Sequence, residues 1–271
     1  MEDIRVPTAL TIAGSDSGGG AGIEADLRTF AALKVFGTAA LTLITAQNTR
    51  DVFHVEMLPP WLVGKQIDAV MSDFAVGAAK TGALGTAEIV AEVAGKIKEH
   101  SIENLVVDPV MISKHGSRLI EQTAAEALMK LLCPLATIIT PNAHEAAAML
   151  DTKVENLGDP GKAALELCRF GSKYVLLKGG HLNGSDAVDY FSDGNKVHEI
   201  RAPRVDSPHT HGTGCTLSSA IAAFLARGFE VKRSVCEAKH FVSTALRFAV
   251  PVGGGISPVH HMHEYYQWGG E

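Results

Sequence analysis

The run His211-Gly212-Thr213-Gly214-Cys215-Thr216 opens directly into an apolar, small-residue stretch over 217–225. The first N–H groups of a helix have no partner inside it, and glycines let a bulky anion approach the backbone closely. The helix dipole reinforces those donors, so the turn reads as a phosphate or oxyanion hole. Cys215 lies at its mouth, where a helix N-terminus favours a thiolate. The plainer alternative is a glycine turn with an ordinary buried cysteine.

Further segments offer chemistry. Residues 14–22 hold five glycines in nine positions. A P-loop needs a lysine before its Ser/Thr, and none is present. A dinucleotide fingerprint wants an acidic residue at the end of the next strand, which instead ends Thr45-Ala46-Gln47-Asn48. A ligand loop remains, beginning at Gly14, with Asp16 and Asp26 available for polar contacts. The Gln47 amide offers a donor beside an acceptor, which matches a ring nitrogen next to an exocyclic amine as in aminopyrimidines. It equally suits a solvated strand end. Asp108, before Pro109 and Val110, could face a metal or phosphates, or simply hold a turn. Asn142 and Glu145 fit a capping box. They also fit a pair holding magnesium in its water shell. Lys178, beside Gly179 and Gly180, could reach a phosphate as a point charge or lie on the surface. His260, His261 and His263 could bind metal in principle but read as packing.

These segments need elements to position them. Apolar runs at 9–13, 39–46, 75–79, 105–107, 137–139 and 174–177 read as strands buried on both faces. Helix-like stretches lie at 22–33, 60–71, 86–99, 121–132, 142–150 and 159–170. The alternation predicts βαβ units in an open α/β sheet, mostly parallel, with helices on both faces. A hairpin is expected over 187–191 and 197–200, then helices over 213–227 and 231–248. With no linker or repeat, 1–271 reads as one domain. Ligands of such sheets bind beyond the carboxyl ends of the strands, where the segments above leave them.

The bulk properties narrow the partners. The chain has 271 residues, 46% of them hydrophobic, and a net charge of -6. That charge argues against nucleic acid or an anionic membrane surface as the main partner. No apolar run reaches the ~20 residues of a membrane span. The start, Met1-Glu2-Asp3-Ile4-Arg5, is too polar for a secretory signal. Four scattered cysteines suit free thiols in a reducing cytoplasm.

Taken in order, the segments at 9–16, 20–27, 46–49, 108–111, 178–181 and 210–216 resemble the ribokinase-like superfamily, and within it the bacterial hydroxymethylpyrimidine and phosphomethylpyrimidine kinases of thiamine biosynthesis. The resemblance covers nearly the whole chain. It implies the ribokinase-like fold and a cytoplasmic homodimer that uses ATP and Mg2+. The reaction would phosphorylate the pyrimidine alcohol and then its monophosphate. Gln47 would hold the aminopyrimidine edge, with Gly14 and Val110 lining the ring pocket. Asn142 and Glu145 would serve metal and phosphates, with Asp108 beside the metal. Lys178 would meet the ATP phosphates, and Gly212, Thr213 and Gly214 would form the anion hole around Cys215. The thiol would accept the alcohol's proton without repelling the phosphate substrate. Ala83 departs from the usual methionine. Pyridoxal-acting relatives carry the same cysteine but lack the glutamine. A non-catalytic pyrimidine sensor would lack the phosphate-side residues.

Overall fold

Short apolar runs become strands here because helices cover the sheet on both sides. The structure, a computed structural model, describes residues 6–111, 122–180 and 185–268. Its strands are β1 (Thr8–Asp16), β2 (Phe36–Gln47), β3 (Val52–Met57), β4 (Val76–Thr81), β5 (Leu105–Val107), β6 (Ile138–Ile139), β7 (Tyr174–Leu177), β8 (Asp186–Ser192) and β9 (Val197–Pro203). Among the described residues they form one nine-stranded sheet in the order β3-β2-β1-β4-β5-β6-β7-β8-β9. From β2 to β7 every neighbouring pair is parallel. β3 adds an antiparallel edge on one side, and the β8–β9 hairpin adds one on the other.

Side chains alternate across the sheet with the strand period of two. Leu10, Ile12, Leu105, Val107, Val175 and Leu177 face one core. That core is closed by α2 (Pro60–Met71), α3 (Ala87–Glu99), α4 (Gln122–Ala127), α5 (Ala143–Met149) and α6 (Pro160–Leu167). Ala9, Val106, Ile138 and Leu176 face the other, beneath α1 (Gly22–Ala32), α7 (Thr213–Ala226) and α8 (Val231–Arg247). Among the described residues no helix is long and apolar enough to cross a membrane.

β7 and α2 fall at their expected bounds. β1, β2 and β4 run further than their apolar stretches, because their polar carboxyl ends remain hydrogen-bonded to neighbours. β3 was not expected. Its six residues, Val52-Phe53-His54-Val55-Glu56-Met57, mix apolar with polar side chains, and all are exposed or half-buried at the sheet edge. The helix expected over 121–132 begins outside the described residues and changes from α4 to a π-turn at Leu128–Leu132.

Asp26 corrects an expectation. It is fully buried and does not reach the cavity described below. Its carboxylate accepts from Thr11 Oγ1 at 2.6 Å, from Lys80 Nζ at 2.8 and 3.0 Å, and from Ser219 Oγ. α1, β1, β4 and α7 thus meet at one ion pair. Burial works against the Lys80 charge, but the Asp26 carboxylate outweighs it and holds the ammonium above its usual range.

Lys80→Met should lower unfolding free energy by roughly 3–5 kcal/mol, because it strands a buried carboxylate. Adding Asp26→Asn should return more than half of the loss. Urea titrations of the three proteins check this, and a single-variant loss below ~1 kcal/mol would contradict it.

Candidate functional site

A cavity of about 1060 Å³ opens at the carboxyl ends of the strands. Every residue expected in the site lines it except Asp26. The anion turn is built by backbone geometry. Gly212 caps α7 in the left-handed region, at φ 74°. A Cβ there would collide with the Gly20 carbonyl oxygen, so the turn and the glycine-rich loop touch through bare backbone. The Thr216 N–H makes the helix's first bond, to Gly212 O at 2.8 Å. The N–H groups of Gly214 and Cys215 therefore stand ahead of the helical ladder. A Cβ on Gly214 would lie 3.5 Å from Lys178 Nζ, so the turn faces the lysine.

Lys178 leaves the end of β7, with its N–H on Pro141 O at 2.8 Å. Its ammonium lies 3.0 Å from Asp108 and 3.9 Å from Glu145. Asp108 also accepts from Thr140 Oγ1 and Ser218 Oγ, both at 3.2 Å. Burial opposes the charge on each, but Asp108 and Glu145 hold Lys178 above its usual range. Lys178 and Lys80 likewise hold Asp108 below its own. Glu145 differs: burial, joined by the Asp108 charge and opposed by Lys178, pushes its carboxyl up to about 7.

Asn142 and Glu145 form the capping box of α5. Asn142 Oδ1 accepts from Glu145 N–H at 2.9 Å, and Glu145 Oε2 from Asn142 N–H at 2.7 Å. The plainer reading is thus present, on the cavity wall, and it holds both side chains rigidly. Asn142 keeps its amide N–H₂ as the group it can offer a phosphate.

Cys215 overturns the thiolate expectation. Burial pushes its thiol up to about 11; Lys80 pulls the other way, while Asp26 and Asp108 add to the rise. A Gly22 N–H donates to the sulphur but does not offset this. The local effect of a helix end loses to desolvation.

At the far side of the cavity Gln47 ends β2, with Gly14 and Val110 beside it. A Cβ on Gly14 would come 2.5 Å from Leu43 Cδ1, so β1 passes close against the Leu43 side chain of β2 at the cavity wall. Ala83 lines the same wall. Three features escaped the sequence reading. Lys80 lines the cavity from below. His211 bonds Asp16 at 2.8 Å. Lys239 of α8 pairs with Asp189 of β8 at 2.7 Å on the wall beyond Lys178. Each joins residues far apart in sequence; the only local signal was a lysine set in an apolar run. His260, His261 and His263 pack behind α7: His261 bonds Thr216 Oγ1 at 3.0 Å, and His260 stacks on Trp268.

Residues 16–260 match the family described as phosphomethylpyrimidine kinase. The hydroxymethylpyrimidine/phosphomethylpyrimidine kinase of Streptomyces coelicolor is 48% identical over 258 residues, which cover 95% of each chain. Bifunctional thiamine-biosynthesis relatives are longer, and the chain spans about half of them, 52% of one and 49% of another. Among solved structures, an ADP complex of Bacillus subtilis pyridoxal kinase has a TM-score of 0.89 at 37% identity, covering 96% of this chain and 99% of that one. A phosphomethylpyrimidine kinase from Clostridium difficile has a TM-score of 0.76 at 44% identity, covering 87% and 97%.

The raised Glu145 carboxyl has a consequence for stability. The unfolded chain ionises it near 4.5, the folded chain only near about 7. Its contribution is full below the lower value and is lost as pH rises through the upper one. Glu145→Gln keeps the capping acceptor and removes the titration. In ligand-free protein it should melt with wild type near pH ~4.5 and above it at pH ~8. A wild-type advantage at the higher pH would contradict the shift.

Proposed function

The chain belongs to the phosphomethylpyrimidine kinase family, and on that premise we propose that this cavity phosphorylates 4-amino-5-hydroxymethyl-2-methylpyrimidine with ATP, then phosphorylates the monophosphate to the diphosphate, in thiamine biosynthesis. One observation carries the reading: Gln47, the Gly212–Gly214 turn, Lys178, Asp108 and Glu145 line a single cavity. A binding protein without catalysis has no use for the phosphate-side group.

The residues divide by chemistry. Gln47 holds the aminopyrimidine edge, while Gly14 and Val110 bound the ring. Ala83, in place of a methionine, leaves that pocket roomier. The Gly214 and Cys215 N–H groups and the Lys178 ammonium are preorganised donors for charge that develops on a phosphoryl group. Asn142 offers its amide to phosphate oxygens. Asp108 and Glu145 would hold a magnesium ion, because the two carboxylates share the single Lys178 ammonium on the cavity wall. Both carboxylates already accept hydrogen bonds, so the fit is to a cation that keeps its waters. When bound, it supplies charge neutralisation between phosphate oxygens.

Cys215 takes a role different from the proton acceptor first expected. A thiol near 11 is protonated at neutral pH. Phosphoryl transfer passes through a loose transition state and needs little help from a base. The neutral sulphur matters for the second step, where the nucleophile is a phosphate. An aspartate at that place would repel it. The same reading includes a homodimer, which follows from the resemblance, and a reducing cytoplasm, which the free Cys133, Cys168, Cys215 and Cys236 support.

The pyridoxal kinase neighbour supports a second reading, phosphorylation of pyridoxal in the same cavity. Gln47 favours the pyrimidine. A coupled assay with ATP should show both pyrimidines consumed and pyridoxal used with a lower kcat/KM. Good turnover of pyridoxal with neither pyrimidine consumed would replace the first reading with the second.

Cys215→Asp should slow the monophosphate step at least about tenfold more than the alcohol step, on the order of 1.4 kcal/mol of added repulsion. Single-turnover kinetics of both substrates provide the check. Equal losses in the two steps would remove the charge argument.

A further inference from the structure

Gln47 is held on its backbone but not by its own backbone alone at the amide. Its N–H and carbonyl bond Ser17 Oγ, each at 2.8 Å, which fixes the strand end to the glycine-rich loop. The amide then meets one neighbour, the imidazole Nε2 of His211 at 3.4 Å. That same nitrogen lies 2.8 Å from Asp16 Oδ2. Asp16 is buried, and its carboxylate also accepts from the N–H groups of Gly18, Gly20 and Ala21 at 2.8, 3.1 and 2.9 Å. Burial opposes its charge, yet the His211 contact and these N–H groups hold it below the usual range. An ionised carboxylate only accepts. The proton between Asp16 and His211 therefore sits on His211 Nε2.

This decides what Gln47 can present. An amide nitrogen toward His211 sets donor against donor. A half-turn about the last side-chain bond puts the carbonyl oxygen there, as a second, longer acceptor sharing the Nε2–H that Asp16 takes, and exchanges nothing else. We propose that Asp16 and His211 are positioning residues that lock the Gln47 amide with its oxygen toward His211 and its N–H₂ toward the cavity, and so set which substrate edge is read. The N–H₂ then requires a ring nitrogen as acceptor. The second lone pair of the oxygen remains for an adjacent exocyclic amine.

The imidazole itself has no freedom to leave. A Cβ on Gly20 would run into its ring, so the loop closes around it. Its backbone is pinned by His211 N–H to Ser257 O at 3.1 Å and Val259 N–H to His211 O at 3.4 Å. His211 also begins the anion turn, so one residue ties base reading to phosphate binding.

The substrate test rests on the pyrimidine kinase reading. It compares the aminopyrimidine alcohol with its analogue in which C–H replaces the ring nitrogen beside the amine-bearing carbon. Wild type should show a KM at least about tenfold higher for the analogue, the consequence of an unmatched buried donor. His211→Phe keeps a flat ring and removes the N–H. It should raise KM for the parent about tenfold with a smaller change in kcat, and bring the two ligands within about threefold. His211→Gln, whose amide nitrogen can stand in for Nε2–H, should restore the discrimination. A folded His211→Phe protein with the wild-type ratio would overturn the proposal. Neutron diffraction of ligand-free wild type needs neither a variant nor a substrate. Deuterons on the Gln47 nitrogen directed into the cavity sustain the proposal, and deuterons facing His211 overturn it. Absence of pyrimidine turnover by wild type would instead defeat the functional reading, and the neutron result would still decide the amide.

Discussion

Asp26, Lys80, Asp108 and Glu145 are buried at the carboxyl end of the sheet, with Lys178 nearly so, and the protein has to balance their charges. Lys80 answers Asp26 beneath the cavity floor. Lys178 answers Asp108 on the wall and leaves Glu145 only partly compensated. Breaking either pair would leave a desolvated ion, which is worth several kcal/mol against the fold. The lower pair is structural and dry. The upper one is open to the cavity and carries a surplus of negative charge. That contrast, from a balanced pair to an unbalanced group over the depth of one strand end, is what the proposed cation and phosphate sites would use.

How much of this was legible in the chain depends on the range of each interaction. The strand exits were readable because their signals are local: a lysine before two glycines, an amide closing an apolar run, a glycine turn entering a small-residue helix. The topology put them all at one end of the sheet. Pairings were not readable. Lys80 directly follows the apolar run 75–79, and its partner lies 54 residues away. Asp16 and His211 are 195 residues apart. Asp26 stood among ligand-loop residues in sequence, but α1 turns it inward to the ion pair.

Cys215 shows the same division in energy terms. Sequence displays the helix end, a short-range influence that favours thiolate. It does not display the surrounding packing, whose desolvation of the thiol is the larger influence here. Under the proposed function, Asn142 and Glu145 would combine a structural role with a chemical one. A cap that fixes both side chains is also a way to hold ligand-facing groups in a single geometry.

The segment that leads away from α8 returns to the corner after β2 and to His211. Gly255 N–H bonds Thr49 Oγ1 across 206 positions of sequence, Ile256 N–H bonds Thr49 O, and Ser257 and Val259 hold His211. The corner after β2 and the anion turn are therefore drawn together by residues translated long after the first of them. Two corners of the sheet that are far apart in sequence are thus joined by one short segment. The contacts that join the corner after β2 to the glycine turn before α7 cannot form until residues 255–259 are in place.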